Sequence, residues 1–201
     1  MTVKPELKEI HLKIVYAGPT KSGRATNLEK IHDHFHGNGY LSMKQRKTID
    51  GETFQYNYTS MSVGTIRGIK PIFHIYSIPK KVNGEIIKDY FLSGADGIIF
   101  VADSQPYRLE DNVNAFREIE QMLHTDRLAG DIPIILQCNK QDASLALPTE
   151  ILKRHLTSED IPCFRAIASK GEGVFETLKA VIKMLGKRIM PSELGLEMVE
   201  N

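Results

Sequence analysis

The sequence predicts an α/β fold of three layers: a mostly parallel sheet with an antiparallel edge strand, covered by helices on both faces. Three observations predict it. Short β-type runs alternate with helix-type stretches along most of the chain. Two of those runs, "DGIIFVAD" and "IPIILQCN", are apolar without alternation, as central parallel strands covered on both faces must be. The first strand-like run feeds directly into a glycine-bearing turn, "GPTKSGRATN" from Gly18 to Asn27, that opens a helix.

Each element has its own reason. "HLKIVYAG" reads as a strand and "ATNLEKIHDHFH" as the helix begun at the turn. "TFQYNYTSM" alternates in the manner of an exposed antiparallel strand, and "KPIFHIYSI" reads as its neighbour. Between the two apolar strands, "LEDNVNAFREIEQMLH" sets Val113, Phe116, Ile119 and Leu123 at helical spacing, with charge on the other side. "PCFRAIAS" reads as a last strand. The closing helix carries Val174, Phe175, Leu178, Val181, Ile182, Leu185 and Ile189 on one face. The predicted domain is 1–190. The stretch 191–201 is read as a tail, broken by Pro191 and either loose or docked through Leu194, Leu196 and Met198.

Bulk properties narrow the function classes. A length of 201 residues suits one compact domain. A net charge of +1 gives no electrostatic reason to expect nucleic acid or an anionic membrane as the main partner. "MTVKPELKEI" carries charges where a secretory signal needs an apolar core, and runs such as "GIIFVA" are too short to span a bilayer. "EMVEN" offers no cysteine for prenylation. A cytoplasmic protein without membrane insertion is expected. Cys138 and Cys163 belong to no metal-spaced set and are read as buried thiols in a reducing compartment.

Two motifs carry chemistry. The turn approaches the phosphate-cradling pattern G-x-x-x-x-G-K-[ST]: Gly18 and Gly23 stand at the right spacing, followed by Arg24 and Ala25 where lysine and a hydroxyl residue belong. Downstream, "NKQD" (Asn139 to Asp142) follows a buried strand, where a guanine-recognising N-K-x-D motif sits. An aspartate there accepts from both the ring N–H and the exocyclic amine of guanine, and adenine presents the wrong donor pattern. The asparagine supports base and loop, and the lysine stem packs along the purine. "IAS", including Ala168 and Ser169, lies where a backbone N–H can reach the base oxygen.

With these residues in view, the chain resembles a bacterial Ras-like small GTPase, most closely the MglA type that sets cell polarity and controls gliding or pilus motility. The likeness runs from "HLKIVYAGP" to "GEGVFETLKAV" and is closest in "DGIIFVADSQPYRLEDN" and "KGEGVFETLK". It implies the P-loop NTPase fold in its small G-protein form, with Ser22 and Thr26 joining Gly18, Gly23, Arg24 and Ala25 in the phosphate loop. It also implies effector and polarity proteins as partners through the switch regions, recruitment to a cell pole, and a guanine nucleotide (GDP or GTP) as ligand.

The departures bear on that ligand. In the family the loop lysine bridges the β- and γ-phosphates and the next hydroxyl holds Mg²⁺. Arg24 keeps the charge on a longer, planar group; Ala25 has no oxygen, and Thr26 stands one position late, so a shift of register would be needed for it to serve. In the second switch "SIPKKVNG" follows Pro79 with Lys80 and Lys81, where the family has glycine and glutamine. In the first, Thr53 survives but Glu52 replaces an intrinsic arginine. Expected, then, are weakened nucleotide and Mg²⁺ binding, slow or absent turnover, and no catalytic residue. The alternative is a true slow GTPase completed by a partner.

Three further features have plainer readings. Lys80 and Lys81 are either a solvated loop or one ammonium folded inward for the missing lysine. His32, His34 and His36 are read as a solvated helix end rather than a metal site. Tyr107 and Arg108 are candidates for a partner surface.

Overall fold

The computed structural model describes residues 1–36, 42–47, 51, 53–65, 68–79, 84–125 and 132–188. Glu52, Lys80, Lys81, Ile189 and the tail, with Leu194, Leu196 and Met198, lie outside them.

The strands are β1 (Thr2–Lys4), β2 (Glu9–Ala17), β3 (Ser42–Lys47), β4 (Thr53–Ser62), β5 (Lys70–Ser77), β6 (Gly97–Asp103), β7 (Ile134–Asn139) and β8 (Cys163–Arg165). They form one eight-stranded sheet in the order β3-β4-β5-β2-β6-β7-β8, with β1 added to β2. From β5 to β8 the pairs are parallel. The antiparallel edge is wider than the sequence suggests. Both β3–β4 and β4–β5 run antiparallel, and β1 folds back on β2.

Successive side chains leave the sheet on opposite faces. Ile99 and Val101 of β6 face a cluster with Ile14, Leu28, Ile31, Val174, Leu178 and Val181, under helices α1 (Arg24–His36) and α5 (Val174–Arg188). Ile98, Phe100 and Ala102 face the opposite cluster with Phe91, Phe116, Ile119, Leu152 and Leu156. Covering that side are α2 (Gly84–Ile86), which runs into a π-helical turn over Ile87–Leu92, then α3 (Leu109–Thr125) and α4 (Thr149–Leu156). Every residue of β6 is buried, as a central strand covered on both faces requires.

One element ends differently from the sequence reading. β8 stops at Arg165, and Ala168–Lys170 make a 3₁₀ turn, so Ala168 and Ser169 sit in a loop beyond the strand. The end of α1 is solvent-exposed at His34 and His36, as expected, and its imidazoles also reach neighbouring elements. His32 Nδ1 lies 3.3 Å from Thr59 Oγ1, His36 Nε2 donates to the Ser60 carbonyl at 2.6 Å, and the His34 ring packs 4.7 Å from Phe175. These imidazoles fasten α1 to β4 and α5. Among the described residues no group of three His, Cys, Asp or Glu side chains could hold a metal, and no helix is long and apolar enough to cross a membrane. Cys138 and Cys163 are free thiols on adjacent strands, their sulfurs 3.4 Å apart.

Candidate guanine-nucleotide cleft

The parallel strands β2, β6 and β7 all point their carboxyl ends at one edge, and the loops leaving them meet there. The loop after β2 turns through Gly18 (φ 131°) and Gly23 (φ 107°). Neither glycine is replaceable. A Cβ on Gly18 would fall 2.3 Å from the Val101 carbonyl oxygen, and one on Gly23 would fall 2.1 Å from Asn139 Nδ2. Asn27 N–H donates to the Gly23 carbonyl at 3.0 Å, so α1 starts at Arg24 and keeps the register the glycine spacing sets. No shift brings Thr26 to the place of Ala25.

Asn139 joins the two loops. Its Nδ2 donates to the Ser22 carbonyl at 2.7 Å, and its Oδ1 accepts the Ala168 N–H at 2.8 Å, all within a buried contact. A second chain of bonds runs beneath. Gln137, buried in β7, donates to Asn27 Oδ1 (2.9 Å) and Thr177 Oγ1 (3.1 Å), while Asn27 Nδ2 donates to the Gly23 carbonyl (3.0 Å). The phosphate loop is therefore held by β7 and α5 through side-chain amides.

Lys140 has a positive φ of 62°, and its ammonium meets Asp103 Oδ2 at 2.6 Å. Asp103 is 1% exposed and also lies 3.6 Å from the Arg108 Nε. Arg108 pairs with Asp111 and reaches across to donate to the Thr20 carbonyl at 2.6 Å. Arg108 thus braces the phosphate loop from outside, a role its sequence position did not disclose. Tyr107 beside it is 75% exposed.

The cleft has two halves. One, of about 340 Å³, is lined by Asn139, Lys140, Asp142, Ala168 and Ser169. The other, of about 590 Å³, is lined by Arg24, Ala25, Glu29, Ser77 and Pro79, together with Gln55 and Asn57 of β4. Lys21, Gly23 and Thr26 belong to both. Thr53 stands exposed at the first position of β4, opposite Lys47, and is not among the lining residues of either half.

The electrostatics of the second half are unusual. Arg24 is 7% exposed, and no hydrogen bond or ion pair joins its guanidinium to any described residue. Burial pulls its pKa down from 12.5 to about 10, which still leaves it charged at neutral pH. The buried hydroxyl of Ser22 also lacks a partner. A buried cation without a counter-ion is costly, and an anion in the cleft would relieve that cost.

The fold and this loop arrangement match a known family. A model of the ADP-ribosylation factor family matches residues 2–185. The chain belongs to that family of small GTPases. Its members bind guanine nucleotides. The mutual gliding-motility protein MglA of Myxococcus xanthus (strain DK1622) is 35% identical over 179 residues, covering 89% of this chain and 92% of its own. ADP-ribosylation factor-like protein 2 of Drosophila melanogaster is 27% identical over 192 residues, covering 92% and 94%. The fit to the family's ligand is uneven. The glycine cradle, the unpaired Arg24 and the orphaned Ser22 hydroxyl suit a polyphosphate. A divalent metal is served less well, because Ala25 supplies no oxygen and Thr53 lies away from the cleft among the described residues.

Proposed function

We propose that this chain is a Ras-like regulator of cell polarity or motility that acts by binding other proteins and recognises a guanine nucleotide with weakened or absent turnover. One observation carries the reading: the base half of the cleft is assembled from Asn139, Lys140, Asp142 and the Ala168–Ser169 loop, while the phosphate half holds Arg24 and Ala25 in place of a lysine and a metal-binding hydroxyl. Asp142, exposed at the mouth, accepts the guanine ring N–H and amine. The Ala168 N–H is committed to Asn139, which leaves that of Ser169 for the base oxygen. The Lys140 ammonium stays on Asp103, so its stem rather than its charge borders the base.

The phosphates run from Thr26 towards Arg24. With no hydroxyl at Ala25 and with Lys80, Lys81 and Glu52 in the switches, the groups that activate water in the family are missing. Binding of effector and polarity proteins through the segments around Gly51–Gly64 and Ser77–Gly84 is then the output. Similarity to a gliding-motility protein supports a motility role; the proposed setting is the cytoplasm, with recruitment to a cell pole. The working unit is 1–190, followed by the tail.

The test has two arms. Titration of labelled GDP and ADP should favour GDP, and Asp142→Ala should erase the preference, since the site's unmet polar groups cost about 1–3 kcal/mol. Equal affinities would remove the guanine assignment. A multiple-turnover phosphate-release assay with Mg²⁺ should give at most roughly 10⁻⁴ per second, the slow intrinsic range of small GTPases. Unaided turnover near ~1 per second, in the range of assisted GTPases, would restore a competent enzyme.

A further inference from the structure

Lys21 is the residue of the phosphate loop that no motif explains. It is exposed, it lines both halves of the cleft, and its φ is 65°, a conformation that a side-chain-bearing residue adopts at a cost. A glycine would hold that turn without strain. Its ammonium has no hydrogen bond or ion pair with any described residue. Arg24, three residues on, is the buried unpaired cation already described. Among the described lining residues the acidic side chains are Glu29 in one half and Asp142 in the other, and neither pairs with Lys21 or Arg24. Two cations therefore flank the run of the cleft, one from below and one from the rim.

We infer that Lys21 and Arg24 together neutralise the diphosphate of a guanine nucleotide, so that this chain holds a nucleoside diphosphate without a divalent metal. The inference rests on the guanine-nucleotide reading above and adds the charge arrangement that makes it work. A nucleoside diphosphate carries about three negative charges at pH 7, its terminal phosphate having a second pKa near 6. Two side-chain cations and roughly half a positive charge from the N-terminus of α1 oppose them. A triphosphate brings a further negative charge that nothing described here matches. The missing hydroxyl at Ala25 and the lysine at position 21 then belong to one arrangement. The charge that a metal would supply is supplied by a side chain, and the site favours the diphosphate.

The experiment is calorimetry on the full chain with GDP, GTP, guanosine and free pyrophosphate, each in EDTA and in Mg²⁺, for the wild type and Lys21→Gln. Glutamine keeps the polarity and most of the length, removes the charge, and inherits the same backbone strain at an exposed site. Wild-type GDP affinity should change by less than about threefold on adding Mg²⁺, and GDP should bind about tenfold tighter than GTP in EDTA. Lys21→Gln should weaken GDP and pyrophosphate by about tenfold and leave guanosine unchanged, as loss of a charge-assisted contact to phosphate requires. A GDP affinity that rises tenfold or more with Mg²⁺, about 1.4 kcal/mol, would overturn the inference. So would unchanged GDP binding in Lys21→Gln, even though the guanine reading would survive it. Pyrophosphate bound in EDTA and lost in Lys21→Gln, with no binding of guanosine and GDP no tighter than pyrophosphate, would keep the cation pair and discard the guanine reading. Binding of none of the four would discard both.

Discussion

Replacing Asn139 by alanine tests how the two loops of the cleft are held together when no nucleotide is present. The amide is 2% exposed, donates to the Ser22 carbonyl at 2.7 Å and accepts the Ala168 N–H at 2.8 Å. Alanine would leave both backbone groups buried and unpaired. Each orphan costs about 1–3 kcal/mol, so the variant should lose about 2–6 kcal/mol of stability. At roughly 2–4 °C per kcal/mol for a chain of this size, the melting temperature should fall by about 4–24 °C. Thermal melts followed by circular dichroism, in EDTA and without nucleotide, measure it.

The same geometry predicts a coupling. A Cβ at Gly23 would sit 2.1 Å from Asn139 Nδ2, so Gly23→Ala should be severely destabilising alone and less so once the amide is gone. The φ of 107° at Gly23 keeps part of the cost in either background. The double mutant should therefore be more stable than additivity allows, by about 1 kcal/mol or more. A melting temperature for Asn139→Ala within about 2 °C of the wild type, equivalent to less than about 1 kcal/mol, would refute the clasp. Strict additivity with Gly23→Ala would refute the close contact.

Two further outcomes follow from other parts of the molecule. Arg24→Lys combined with Ala25→Thr restores a compact ammonium and a hydroxyl on a backbone already in register, so GTP affinity should rise about tenfold and become Mg²⁺-dependent while hydrolysis stays slow; calorimetry with and without Mg²⁺ decides it, and no gain would count against the phosphate half being a phosphate site. Lys13 lies mostly buried with its ammonium on the Tyr90 and Ser93 carbonyls, and burial lowers its pKa from 10.5 to about 8, Asp96 opposing the shift. Between those two pH values the unfolded chain holds more protons than the native one, so this group makes stability rise with pH across the window. Chemical denaturation from pH 7 to 10.5 should show a steeper upward slope in the wild type than in Lys13→Met, and parallel curves would dismiss the assignment.

How much of this was legible in the sequence differs by element, for physical reasons. β6 could be read because a strand covered on both faces is apolar along its length, and "GIIFVA" is, up to the functional Asp103 at its end. β3 could not, because "SMKQRK" is exposed at every position and exists as a strand only through its pairing with β4. The helix Thr149–Leu156 was missed because it is short and buries only Leu152 and Leu156, its third apolar residue, Ile151, facing solvent. In the cleft, Gly18, Gly23, Asn139 and Asp142 stood out by motif and spacing. Lys21 and Arg108 did not: a side-chain-bearing residue at a left-handed turn position looks ordinary in sequence, and the contact of Arg108 with Thr20 spans 88 residues. The exposure of His34 and His36 at the end of α1 was legible, but their contacts with β4 and α5 were not, because polar spacing says nothing about what a helix end meets.

That helix end has a consequence for the strand beneath it. In a two-faced strand, hydrophobic patterning repeats every second residue, so it punishes a slip of one position and is blind to a slip of two. β4 has such a pattern, with Thr59 and Met61 turned to the helix side and paired opposite Ile75 and Phe73. His32 and His36 remove the blindness. A translation of two residues along β5 would offer His32 either Asn57 or the thioether of Met61 in place of the Thr59 hydroxyl, and would carry the Ser60 carbonyl away from His36. The last turn of α1 thus works as a gauge that recognises one alignment of the β4–β5 hairpin by hydrogen-bond chemistry. Any displacement of that hairpin along the sheet has to release the gauge first.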